Sequence, residues 1–233
     1  MKKNEKIAII PARSGSKRIP NKSIKLFFGK PIIYYSIKAI KKTKLFDRII
    51  VSTDSNKIAK IAESYGAEVP FIRSKKLSSD FVPISKVMKD ATIRLNNLIS
   101  FEDVCCIFPA SPLIESESII KGYKLFKKKN LNYVFAASKF DHSVYRSFKL
   151  YNSKSIKMIF PNNINKRSQD LDDLYYDAAQ FYWGKKRAWI EEKKVFGRNS
   201  TFIKIDSLKA HDLDTTQDFE IVKKLFKLNS NKR

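Results

Sequence analysis

Short apolar runs alternate with stretches whose apolar residues recur at helical spacing, and that alternation restricts the fold more than any other feature of the chain. Residues 6–12, 47–54, 104–108 and 133–138 each carry a run such as IAII, RIIV, VCCIF or YVFAA, with little polar alternation to leave one side wet. Runs of this kind fit strands covered on both faces, as in a parallel sheet sandwiched by helices. Residues 31–43, 56–65, 84–98 and 115–129 have the period of amphipathic helices. Pro31 is placed to open the first and Gly66 to close the second. A short strand is expected over residues 69–73. The β-α-β-α order predicts an α/β fold with a mainly parallel sheet and helices on both faces. Ligands of such sheets bind beyond the carboxyl ends of the strands. Function is therefore expected at residues 11–23, 52–55 and 108–113.

The 233 residues suit one domain, and a hydrophobic share of 43% is enough for a sizeable core. No apolar run nears the roughly 18 residues of a membrane span. The basic start MKKNEK leads only into IAII and then Pro11, too short for a secretory signal, so a cytoplasmic protein is expected. Adjacent Cys105 and Cys106 are expected to be buried and reduced, because neighbouring cysteines strain a disulfide. His142 and His211 are isolated, which argues against a zinc site. The net charge of +24 invites a nucleic-acid partner. Lysine, however, is spread along the whole chain beside many Ile and Asn, as a biased coding composition would produce. The same positive field would also gather a small polyanion such as a nucleotide.

The regular pattern breaks over residues 140–173, where two short strands, 144–150 and 156–160, suggest a hairpin-like arm beside the sheet. A strand over 201–205 and a closing helix over 215–228 complete the reading.

The first apolar run leads into a turn carrying Arg13, Ser14, Gly15, Ser16, Lys17, Arg18 and Lys22. Small residues let backbone N–H groups approach an anion, Arg13 can fork onto phosphate oxygens, and Lys17 and Lys22 add point charges. The loop is neither a Walker A motif nor a GxGxxG fingerprint. A solvated basic turn explains the same residues. Late in the chain, Asp212 and Asp214 flank Leu213, so in extended backbone both carboxylates share a face and could hold a hard divalent cation. The segment DLDTTQD also reads as a helix N-terminus capped by Asp214 or Thr215. In RSQDLDDLYYDAAQFYWG (167–184), Arg167 can clamp a carboxylate, while Gln169, Asp177 and Gln180 can bond hydroxyls and amides. Phe181 and Trp183 in the same stretch read as core.

The string IAIIPARSGSKRIPNK (7–22) closely resembles the opening signature of the acylneuraminate cytidylyltransferases, which activate acidic nine-carbon sugars. Ser14 stands where that family usually has a glycine, and Ser23 where it has an Asn after the lysine. DRIIVSTD (47–54), YGAEVPFIR followed by LSSD, and HDLDTTQDF (211–219) are similar to further family elements, so the resemblance spans nearly the whole chain. RSQDL and YYDAAQFYWG, with Phe108 in place of a Gln and Ile114 in place of an Arg, resemble the pseudaminic acid branch. The resemblance implies a Rossmann-like fold of the nucleotidyltransferase type with a dimerisation arm near residues 141–175. It implies CTP as nucleotide, Mg²⁺ held by Asp212 and Asp214, and a homodimer. It places Arg13, Lys17 and Lys22 on the triphosphate, Ser23 and Arg73 on the nucleotide, and Phe108 beside the sugar. The implied reaction is attack of the sugar's anomeric hydroxyl on the α-phosphorus of CTP. Rival readings are another acidic keto-sugar, namely N-acetylneuraminate, legionaminate or 3-deoxy-manno-octulosonate, or a basic nucleic-acid-binding module.

Overall fold

A computed structural model of the protein describes residues 5–230. In chain order the strands are β1 (Glu5–Pro11), β2 (Leu26–Phe27), β3 (Lys30–Pro31), β4 (Arg48–Ser52), β5 (Phe101–Ile107), β6 (Tyr133–Lys139), β7 (Phe148–Asn152), β8 (Ser155–Met158), β9 (Tyr175–Lys185) and β10 (Ser200–Lys204). The helices are α1 (Ile33–Thr43), α2 (Asn56–Ser64), α3 (Ile84–Asn96), α4 (Ser116–Lys129), α5 (Lys186–Ile190) and α6 (Thr216–Ser230). Six strands form the central sheet in the order β10-β6-β9-β5-β1-β4. All neighbours are parallel except β9, which runs antiparallel between β5 and β6.

The wholly apolar strands are buried on both faces because side chains alternate across a sheet. Ala8, Ile10, Val51, Cys105, Val134 and Trp183 face a core shared with α1, α2 and α4. Ile7, Ile9, Ile50, Cys106, Phe135 and Tyr182 face the opposite core under α3 and α5. Cys105 and Cys106 thus point to opposite sides of the sheet, both free and fully buried. Burial holds both thiols well above the usual range. Tryptophan 183 is satisfied within its core, its indole N–H donating to the Ile119 carbonyl at 3.0 Å.

A third, smaller cluster places the site. Ile19, from the loop after β1, packs with Phe27, Ile32, Leu113, Leu213, Phe219 and Val222. Ile19 and Leu213 are both essentially inaccessible. Burying Leu213 forces the flanking Asp212 and Asp214 outward, toward the loop that Ile19 anchors.

Four stretches depart from the expectation. Residues 69–73 form no strand; Glu68 and Ile72 make only isolated bridges to Ile50 and Thr53. The stretch expected to be a strand from 144 opens instead as a 3₁₀ turn, Val144–Arg146, before β7. Phe181 and Trp183 are core as expected, but the full extent of β9 and the short α5 were not expected. In β9, aromatic and polar residues mix without a period, although the neighbours on both sides bury it. The β7–β8 hairpin stands outside the central sheet, with Phe148, Leu150, Tyr151 and Ile156 exposed. No helix among the described residues is long and apolar enough to cross a membrane.

Candidate active site

A cleft of about 490 Å³ opens at the carboxyl ends of β1 and β5, within the range of small-molecule sites. Arg13, Ser16, Lys17, Lys22, Ser23 and Arg73 line it together with Phe108, Asp212 and Asp214. Residues from the start, middle and end of the chain therefore meet in one cavity.

The β1 loop is tied down by Asp54, at the end of the neighbouring strand. Its carboxylate accepts from the Ser14 backbone N–H at 2.8 Å and from the Ser14 hydroxyl at 2.7 Å. The Ser16 N–H donates to the Ser14 carbonyl at 3.0 Å. The expectation that Ser14 and Ser16 offer free backbone donors is therefore corrected: both N–H groups are already bonded within the loop and to Asp54. Gly15 is exposed, and a Cβ placed on it would meet no protein atom within 4 Å. Close approach of a ligand, rather than internal packing, is what the glycine leaves room for.

The cations above the cleft are bridged by two carboxylates. Asp80 accepts from Arg13 at 2.5 Å and Lys17 at 2.9 Å. The bond from Lys17, followed by the Arg13 charge, holds the Asp80 carboxyl below its usual value. Asp214 accepts from Arg18 at 2.9 Å and Lys22 at 3.3 Å. Lys22 also donates to the Leu213 carbonyl at 2.7 Å, which fixes the loop against the acidic segment. Ser23 is buried beside it in the 3₁₀ turn Lys22–Ile24, which follows Asn21 in left-handed backbone.

Arg73 is only 3% exposed. Its guanidinium donates to the Ser78 hydroxyl at 3.0 Å and the Ser52 carbonyl at 3.2 Å, both neutral acceptors. Burial lowers its pKa, as expected for a cation whose bonded partners are neutral. It remains a charged, pre-oriented donor on the cleft wall.

On the opposite side, burial raises the Asp212 carboxyl, and the Asp214 charge raises it further. Both lie just ahead of α6, whose start is closed by a reciprocal cap. Asp218 accepts from the Thr215 N–H at 2.7 Å, and the Asp218 N–H donates to the Thr215 hydroxyl at 3.2 Å. Thr215 and Asp218 thus serve as the cap, leaving Asp212 and Asp214 to face the cleft. No group of three or more His, Cys, Asp or Glu side chains among the described residues is arranged to hold a metal. Two carboxylates suit Mg²⁺, which keeps water and substrate phosphate oxygens as its remaining ligands.

Phe108 forms the remaining wall and meets Tyr182 edge-on with ring centres 5.3 Å apart. Near Phe108, β9 bulges: Ala179 adopts φ +46°, and the Gln180 carbonyl accepts from the Phe108 N–H at 3.0 Å. The expected sugar-facing roles of several β9 residues change accordingly. Gln180 is buried, and its side-chain amide donates to the Lys209 carbonyl. Asp177 accepts from the Tyr182 hydroxyl and from the Ala179 N–H, and burial raises its carboxyl. Neither lines the cleft. Arg167 and Gln169 lie on the arm instead. The Arg167 guanidinium is occupied by Asp170 three residues away at 2.7 Å, and Gln169 lines a separate hollow near His142.

A cleft with four loop cations facing three carboxylates, at the carboxyl edge of a largely parallel sheet, is a layout for a charged nucleotide. The family model of Cytidylyltransferase matches residues 7–231. The chain belongs to the cytidylyltransferase family. The pseudaminic acid cytidylyltransferase of Campylobacter jejuni serotype O:2 is 37% identical over 225 residues, covering 96% of this chain and 97% of that protein. A Helicobacter pylori protein, described as pseudaminic acid cytidylyltransferase and UDP-2,4-diacetamido-2,4,6-trideoxy-beta-L-altropyranose hydrolase, is 37% identical over 217 residues. Those residues make up 92% of this chain but 41% of that protein. Among solved structures, a CMP:2-keto-3-deoxy-manno-octonic acid synthetase complexed with CTP superposes with TM-score 0.72 at 11% identity, covering 97% of this chain and all of the other. That likeness establishes a cytidylyltransferase fold. Arg18 and Asp54 lie in the stretches 11–23 and 52–55 where function was expected, and Asp80 ends the LSSD stretch that carries part of the family resemblance, but none of the three was given a role of its own.

Proposed function

We propose that this chain transfers CMP from CTP to the anomeric hydroxyl of pseudaminic acid and releases pyrophosphate. The observation that carries the chemistry is the convergence of Arg13, Lys17 and Lys22 with Asp212 and Asp214 in one cleft. The sugar rests on the 37% identity to the Campylobacter jejuni protein across nearly the full length of both chains. In the reaction an O–P bond forms between the anomeric oxygen and the α-phosphorus. The bond from that phosphorus to the bridging oxygen of the β-phosphate breaks, and the hydroxyl proton is lost. The barrier is mainly charge crowding and alignment, so fixed cations do most of the catalysis.

Arg13 and Lys17 take the β- and γ-phosphates, and Lys22 takes the α-phosphate. Arg73 and Ser23 hold the nucleoside side. Phe108 packs against the sugar, where an apolar ring suits a deoxy methyl end better than an amide would. Asp212 and Asp214 hold Mg²⁺, which when bound neutralises phosphate charge and acidifies the attacking hydroxyl. The exposed apolar residues of the β7–β8 arm fit a second copy of this chain, so a homodimer is part of this reading.

Pyrophosphate release from CTP, measured with a panel of acidic keto-sugars with and without Mg²⁺, tests the proposal. Turnover is expected with pseudaminic acid and is lost on chelation. Turnover with N-acetylneuraminate, legionaminate or 3-deoxy-manno-octulosonate but not pseudaminic acid would overturn the sugar assignment. Metal-independent turnover would overturn the roles of Asp212 and Asp214.

A further inference from the structure

The loop of residues 79–83 carries a carboxylate that the reaction as described does not use. Asp80 sits between the 3₁₀ turn Lys75–Ser78 and α3, beside Phe81, which is 92% exposed. Within this loop the backbone makes one hydrogen bond of its own, from the Val82 N–H to the Ser79 carbonyl at 3.4 Å. Asp80 nevertheless spans the cleft mouth. One of its oxygens is 2.5 Å from the Arg13 guanidinium and the other is 2.9 Å from the Lys17 ammonium.

One oxygen to each cation is also how a phosphate group engages an Arg–Lys pair. Asp80 takes one donor from each cation, so a phosphate approaching the same side of the pair competes with it for Lys17 and the Nη1 edge of Arg13. The contact joins two loops that belong to different parts of the chain, so a ligand that replaces it removes this link between the 79–83 loop and the β1 loop.

We propose that Asp80 is a positioning residue that occupies the anion seat of the free enzyme and is displaced by the β- and γ-phosphates of CTP. The inference rests on the cytidylyltransferase reading of this cleft. Asp80 holds Arg13 and Lys17 extended into the cavity in the absence of nucleotide, and it weakens the grip of those cations on pyrophosphate. A carboxylate that competes for the seat favours departure of the leaving group after transfer. Both cations are partly exposed, so each broken pair has a modest cost, and the two together set an effect of about tenfold in affinity.

The test is calorimetric titration of wild type and Asp80→Asn with inorganic pyrophosphate, CTP and CMP. Pyrophosphate and CTP are expected to bind about tenfold more tightly to the variant, while CMP, which lacks the outer phosphates, stays within about twofold. Asp80→Glu, which restores the charge, is expected to return pyrophosphate affinity toward that of wild type. Should Asp80→Asn fail to fold by circular dichroism, Asp80→Ser takes its place with the same expectation. Unchanged or weaker pyrophosphate binding in the folded variant would overturn the proposal, making Asp80 a support for the cations rather than a competitor. Equal tightening of CMP would also overturn it. Failure of wild type to bind either CTP or pyrophosphate would instead sink the cytidylyltransferase reading of the cleft, and this inference with it.

Discussion

Replacing Asp54 with alanine should loosen the phosphate loop without touching any residue proposed to contact phosphate. The carboxylate makes two bonds to Ser14, at 2.8 Å and 2.7 Å, and both groups are half-buried. Hydrogen bonds to an ionised group are worth about 1.5–3 kcal/mol each, and partial exposure puts these at the low end. Water can replace part of the loss, which leaves about 2 kcal/mol holding the loop after β1 against β4. Asp54 also supplies negative charge near Arg73, whose guanidinium burial already disfavours. The cost divides between global stability and order of the loop. We expect the KM for CTP to rise about tenfold, equivalent to about 1.4 kcal/mol, with a smaller fall in kcat. Steady-state pyrophosphate release at varied CTP reads the loss of loop order through KM and kcat, and chemical denaturation reads the loss of global stability. Ser14→Gly keeps the backbone bond and loses only the hydroxyl bond, so it should show about half the effect. In the double variant the hydroxyl term should vanish, since its partner is already gone. A folded Asp54→Ala enzyme whose KM for CTP stays within about twofold of wild type would refute the reasoning, because loop order would then not depend on this anchor.

Gly122→Ala should destabilise the protein by about 1–3 kcal/mol in denaturant titration, although alanine is the better helix former. Its Cβ would lie 2.8 Å from Phe181 and 3.2 Å from Trp183, both fixed in the core. Tyr123 donates to Asp103 at 3.1 Å, and burial followed by the Asp103 charge pushes its pKa up to about 12. A raised folded pKa favours the neutral phenol. The stabilisation is therefore complete below the unfolded value of 10.0 and fades as pH rises through about 12. Relative to Tyr123→Phe, wild type should lose its advantage over that alkaline window in thermal melts, and a pH-independent difference would contradict this. Phe108→Gln should shift the ratio of kcat/KM for pseudaminic acid over N-acetylneuraminate by about tenfold toward the latter in parallel assays, and an unchanged ratio would remove Phe108 from the sugar wall.

Much of the fold could be read from patterns that are themselves local. IAII, IIV and YVFAA sit in buried strands because nothing in them tolerates water on either face. Ser55 caps α2 with a bond from the Ile58 N–H, and Gly66 follows that helix in left-handed backbone, as short-range sequence rules predict. Phe181 and Trp183 were legible as core, but the length of β9 and its place between β5 and β6 were not, because its antiparallel pairing is set by strands distant in sequence. In the site, the residue types were legible but their engagements were not. Gln180 looked like a sugar ligand and proves to be bonded to Lys209, and Ser14 looked like a phosphate donor and is held by Asp54.

Taken alone, the order of residues determined most of the strands and helices of the first two thirds of the chain, that charge would gather after the first strand, and that Asp212 and Asp214 stand two apart near the end. These are consequences of side-chain period and backbone preference over a few neighbours. Only the tertiary structure decided that the two charged segments meet. Lys22 reaches the Leu213 carbonyl across 191 positions of chain because Ile19 and Leu213 bury themselves in the same small core. Burial of that kind depends on every intervening strand and helix being in place, so no stretch of local sequence can encode it.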